Sequence, residues 1–125
     1  MKLLKVSFIL VSLCLYTQYV IAQSSEMYDL TAQEDALLTA AQQGNLDKVK
    51  ELVNAGVNIN IKVDHIGNSA LHFAAQRGNL PVVKFLVEKG ADINAQNNFY
   101  ATPLAEAKRL NQAEVANYLK SKGAQ

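Results

Sequence analysis

The chain is short of the residues that usually carry chemistry. It has one cysteine, Cys14, and two histidines, His65 and His72. Cys14 falls within the first 22 residues, which read as a removable leader, so the processed chain holds no thiol. That excludes disulfides, cysteine-based metal sites and cysteine nucleophiles, and leaves the domain safe in an oxidising compartment. The two histidines lack metal-ligand spacing. No glycine-rich phosphate loop follows a strand pattern and no nucleophile elbow occurs. Asp64, Asp92 and Glu106 form no evident carboxylate pair. The expectation is a chain that is not an enzyme and has no cofactor and no metal. An excess of one charge is missing too: 12 basic residues face 11 acidic ones, a net charge of +1, and loss of Lys2 and Lys5 with the leader takes it to about −1. Without a basic stripe, nucleic acid is not an expected partner.

A long apolar run is also lacking. Val6 to Tyr16 is interrupted by Ser7 and Ser12, and the stretch to Ala22 includes Thr17 and Gln18, which is short and polar for a membrane span. Lys2 and Lys5 before an apolar core, with Val20-Ile21-Ala22 at its end, make a secretory signal peptide over residues 1–22, cut after Ala22. The alternative is an uncleaved leader that tethers a scaffold to a membrane. A lipoprotein acylated at Cys14 is disfavoured by bulky Leu13 before it. The short leader and the absence of an Asn-x-Ser/Thr sequon point to a bacterial periplasmic or secreted protein. What remains is half hydrophobic and 18% charged over the whole chain, a balance that suits one globular domain.

Self-similarity dominates that domain. Ala70-Leu71-His72-Phe73-Ala74-Ala75-Gln76-Arg77-Gly78-Asn79-Leu80 leads to Val82-Val83-Lys84-Phe85-Leu86-Val87 and Gly90-Ala91-Asp92-Ile93-Asn94. Ala36-Leu37-Leu38 to Asn45-Leu46, with Gly56-Val57-Asn58-Ile59-Asn60, precedes it by 34 positions. Thr102-Pro103-Leu104-Ala105-Glu106-Ala107, with Val115-Ala116 and Gly123-Ala124, follows about 33 positions later. Leu46, Val49, Leu52 and Val53 share one helical face, and Leu80, Val83, Leu86 and Val87 repeat the spacing. Alanine-rich first helices pack closely, and Gly56, Gly90 and Gly123 end the second ones. One repeat cannot bury its apolar face alone, so stacking makes the core. Leu71 and Leu86 are its expected centre, where truncation to alanine should cost about 2–5 kcal/mol.

This pattern resembles the ankyrin repeat. Ser69-Ala70-Leu71-His72 and Thr102-Pro103-Leu104 stand for the family's T-P-L-H, and Gly90-Ala91-Asp92-Ile93-Asn94 for its G-A-D-V-N. The resemblance implies an all-α ankyrin-repeat solenoid of helix-turn-helix units joined by β-hairpin-type loops. Its repeats cover about 35–68, 69–101 and 102–124, within a domain 35–125 that a tail and helix cap at 23–34 precedes. Thr31-Ala32-Gln33-Glu34 has capping-box spacing and marks the expected helix start, with Gln23 to Leu30 a loose tail or short helix. Lys48 and Glu51 at one end, and Lys108 and Lys120 at the other, turn the end faces polar. A complete three-repeat monomer is the expectation.

The resemblance also implies another protein as partner, bound by loop tips and the exposed face of the first helices. No membrane contact is expected once the leader is cut. The tips are Asp64-His65-Ile66-Gly67-Asn68, with one extra residue near Lys62-Val63, and Gln96-Asn97-Asn98-Phe99-Tyr100-Ala101. Tyr100 stands where the family has glycine and Asn97 where it has aspartate, so an altered turn is expected there. Phe99, Tyr100, Arg77 and Ile66 are the first candidates, because aromatic residues and arginine dominate interfaces. His65, Asn98, Gln76, Phe73 and Arg109 complete the set. The alternatives are a tip aromatic packed under its own loop and a merely solvated Arg77 or His65. His72 is read as structural, tying its helix start to neighbouring loops. An inhibitor, an immunity-type neutraliser, a chaperone and an effector all fit this reading.

Overall fold

The computed structural model describes residues 2–62 and 65–125, and the side chains among them from 11 to 23 and from 31 onward. Among the described residues six helices follow one another: α1 Lys2–Gln43, α2 Leu46–Asn54, α3 Ala70–Arg77, α4 Leu80–Glu88, α5 Pro103–Arg109 and α6 Ala113–Ser121. The chain divides into two compact units, Met1–Ala32 and Gln33–Gln125.

The length of α1 corrects the expected start at Thr31, and of the two readings of Gln23 to Leu30, a loose tail or a short helix, the stretch is helical but part of a longer helix. The helix runs through both, because no glycine or proline stands before Gly44 to interrupt it. In the first unit Leu13, Leu15, Tyr16, Tyr19 and Ile21 are all exposed. Among the described residues no helix is long and apolar enough to cross a membrane.

The second unit is a stack of helix pairs. Within it α3 packs on α5, and on the other side α4 packs on both α2 and α6. Leu37, Ala41, Val49, Leu71, Ala75, Val83, Leu86, Leu104, Val115 and Leu119 join one continuous core. Leu71 and Leu86 are buried almost completely, as expected. Tight turns within each pair require a left-handed residue. Gly44 takes φ 72°, and a Cβ there would stand 2.8 Å from the amide nitrogen of Asn79. Ser69 caps α3 and Thr102 caps α5, each accepting a backbone N–H three residues on. Pro81 sits in the first turn of α4, where the lost donor matters least.

The loops are hydrogen-bonded turns of the hairpin type expected: the Asn97 N–H donates to the Ala101 carbonyl at 3.0 Å across the second tip, and no strand occurs among the described residues. Each arm is too short for a ladder, so single polar side chains take over the backbone groups. Repeats are tied by equivalent bonds: Asn60 Oδ1 accepts from the Asp92 N–H at 2.8 Å, and Asn94 Oδ1 from that of Gln125 at 2.9 Å. The expected end charges face solvent. Lys48 pairs with Glu51 at 2.9 Å. Lys108 and Lys120 flank a shallow hollow floored by Ala107, Ala113 and Ala116.

Candidate functional site: the second tip and its groove

The second tip is built around Asn97. Its side-chain oxygen accepts the N–H groups of Phe99 at 2.9 Å and Ala101 at 3.0 Å, and its amide donates to Asn68 Oδ1 at 3.0 Å. Asparagine thus does here what an aspartate could do only in part, because a carboxylate has no N–H for Asn68. The Tyr100 N–H bonds the Asn97 carbonyl at 2.9 Å and closes the turn. Tyr100 takes φ 62°, and Gly67, its equivalent 33 positions earlier, takes φ 78°. The altered turn expected from the glycine's replacement is therefore not found. Tyrosine has been placed in the left-handed conformation that glycine adopts freely, at a cost of about 1–2 kcal/mol.

Neither tip aromatic packs under its own loop. Phe99 is 74% exposed and Tyr100 81%. The backbone beneath them is fixed to the preceding tip: the Asn98 N–H donates to the Ile66 carbonyl and Asn98 Nδ2 to that of His65, both at 2.8 Å. Asn98 is thus a strut between tips as well as an exposed residue.

His72 ties the tip to α3 from below. Its Nε2 lies 2.8 Å from the Ala101 carbonyl, which can only accept, so Nε2 carries the proton. Nδ1 then accepts from the Ser69 N–H at 3.1 Å and the Ser69 hydroxyl at 2.8 Å. Burial pushes the imidazole below its ordinary value; the Ala101 carbonyl opposes this, Lys62 adds to it and Glu106 opposes it. Both nitrogens are occupied and the ring is fully buried, so His72 is the structural residue expected.

Between the tips and the ends of α3 and α5 runs a groove of about 410 Å³, lined by Ile66, Asn68, Gln76, Asn97, Phe99, Ala101, Glu106 and Arg109. Glu106 is 7% exposed. One oxygen, Oε2, accepts from Arg109 Nη2 at 2.7 Å, Arg109 Nε at 3.2 Å and Gln76 Nε2 at 3.2 Å. A buried carboxylate needs such donors to remain charged.

The structure thus brings Ile66, Gln76, Phe99 and Arg109 together on one groove and sets Tyr100 and Asn98 on the adjoining tip. His65 and Arg77 are exposed outside the groove lining, and Phe73 is half-buried against the core. The extra residue expected near Lys62-Val63, and Asp64 of the first tip, fall on positions 63 and 64, outside the described residues. Sequence reasoning placed Asn97 in the second tip and Glu106 on the exposed face of its helix, but foresaw neither the three bonds Asn97 makes nor the donors gathered on Glu106. Glu106 three residues before Arg109 on a helix is a readable ion-pair signal. Among the described residues no group of three or more His, Cys, Asp or Glu stands close enough to hold a metal.

A family model described as ankyrin repeats (3 copies) matches residues 14–97 and 37–125. No curated protein matches the chain.

Proposed function

The chain belongs to the ankyrin-repeat family, whose repeats are generally protein–protein interaction modules, and from that premise we propose that it is an exported protein that binds another protein through its second tip and groove. One observation carries the reading: Phe99 and Tyr100 stand side by side in solvent on a backbone held by Asn97, Asn98 and His72. Exposed adjacent aromatics on a rigid frame give large contact area with little ordering cost. The left-handed Tyr100 adds to this, since local strain collects at functional positions. An interface of the standard size, about 800 Å² on each partner, fits a stack of this length. Polar end faces favour a monomer.

Export rests on residues 1–22. Large apolar side chains from Leu13 to Ile21 are exposed, a pattern that suits a leader removed after targeting better than a packed element. The destination is the periplasm or the exterior of a bacterial cell. Intact mass of the exported protein tests this: a chain starting at Gln23 is expected, and a retained Met1 would instead give the tethered scaffold.

Affinity capture tests the binding role, with the processed chain beside a Phe99→Ala/Tyr100→Ala variant of matched thermal stability. A partner held by the first and lost by the second is expected. Equal capture by both would move the interface off the second tip.

A further inference from the structure

The groove beside the second tip has a lopsided balance of available charge. Its acid is used internally: the Glu106 side chain is 9% exposed, while that of Arg109 is 62% exposed. All three donors converge on one Glu106 oxygen. Arg109 itself is only partly used. Its Nε–H and one Nη2–H are on Glu106. Of the five N–H groups a guanidinium offers, the other three have no partner among the described residues. They include the parallel pair on Nη1 and Nη2, the edge that receives both oxygens of a carboxylate. Glu106 therefore grips one edge of the fork and leaves the other turned outward, its planar head already oriented. Apolar surface from Phe99, Ile66 and Ala101 lines the same groove.

We propose that this groove reads an acidic side chain, Asp or Glu, next to an apolar residue in an extended segment of the partner. The carboxylate sits on the open edge of Arg109, and the apolar neighbour lies against Phe99 and Ile66. A partner that covers both tips crosses the groove in mid-chain, so the carboxylate belongs to a side chain and not to a chain terminus. The inference rests on the protein-binding reading above and adds the chemistry of what is bound.

The test uses three five-residue peptides with Leu and Phe flanking the central residue. One has a central Glu with both termini blocked. One has Gln in its place. The third has the Gln centre and a free C-terminal carboxylate. Binding is followed by NMR on the purified chain, through the Arg109 Nε–H and the backbone amides of the second tip. The Glu peptide should bind about tenfold more tightly than the Gln peptide, the scale of a partly exposed charge-assisted pair. Arg109→Gln should bring that ratio to about one. Arg109→Lys, which keeps a cation for Glu106 but lacks the fork, should reduce it. Phe99→Ala should weaken both blocked peptides alike. Melting curves establish that each variant is folded. Equal binding of Glu and Gln peptides, or a ratio that survives Arg109→Gln, overturns the carboxylate site and leaves the docking surface standing. So does preference for the free C terminus. Failure of every peptide to shift the tip overturns it as well, whereas the protein-binding reading stands or falls separately on the capture experiment.

Discussion

Replacing Tyr100 by glycine should make the protein more stable while weakening its binding. The side chain is 81% exposed, so its removal gives up almost no buried area. The backbone at φ 62° costs a residue with a Cβ about 1–2 kcal/mol. Glycine removes that cost but gains freedom in the unfolded chain, which takes back about 0.5–1 kcal/mol. The net expectation is a gain of about 0.5–1 kcal/mol, near 4–8 °C per kcal/mol in melting temperature for a domain of this size. Tyr100→Ala supplies the control. It removes the ring and keeps the Cβ, so its stability should stay within about 0.5 kcal/mol of the parent, as for an exposed site. Urea unfolding of all three chains, with equal slopes, measures the difference. A glycine variant less stable than the parent, with an alanine variant lower still, would refute the reasoning, because the ring would then be packing on something. Partner capture should fall in both variants.

Two further outcomes follow from buried polar groups. Burial holds the His72 imidazole below its ordinary value of 6.5. Between the depressed native value and 6.5 the unfolded chain therefore binds more protons than the native one. Stability should be full above that window and fall as the pH is lowered through it. His72→Ala should be less stable at every pH, by about 1–3 kcal/mol for the stranded Ser69 and Ala101 groups, and flatter across the window in urea midpoints taken from pH 7.5 to 5. Tyr118 offers the opposite case. Its hydroxyl is buried with no hydrogen-bond partner among the described residues, while Lys84 and Lys122 lie 5.7 and 5.8 Å from the ring centre. Tyr118→Phe removes the orphan and keeps the ring, so it should be at least as stable as the parent, with a gain of up to about 1 kcal/mol by thermal melting.

Much of the fold was legible because the repeat states each part more than once. Two second helices with the same apolar face pointed to Leu86 in the core, and the recurring alanine-rich first helix, which must pack closely on its neighbours, pointed to Leu71. The first helix was misread for a local reason. Thr31 to Glu34 has the spacing of a capping box, but a cap acts only where something ends the preceding turn. From Lys2 to Gln43 nothing does. At the candidate site the exposure of the side chains was legible and the backbone was not. Phe99 and Tyr100 were expected in solvent as contact residues, yet Tyr100 was also expected to alter the turn. Asn97 prevents that, since its amide can accept two N–H groups and donate one at the same time. Sequence spacing does not reveal such a set of three hydrogen bonds.

The two tips share a frame and differ in what they display. Ile66 and Gly67 stand on one where Phe99 and Tyr100 stand on the other, at an offset of 33. Left-handed backbone at the last position of each pair shows that the frame tolerates the exchange. The frame itself is held by groups that point inward: His72 to the Ala101 carbonyl, Asn97 to Asn68, Asn98 to the first tip. Changing an outward side chain should therefore alter the partner and leave folding nearly untouched, while changing an inward amide or imidazole should do the reverse. Arg109 belongs to both sets, since one edge of its guanidinium neutralises Glu106 and the other is open to solvent. Like Asn98, which is exposed and yet ties the two tips, it is a position where stability and binding cannot be varied independently, and Arg109→Gln should lose some of each.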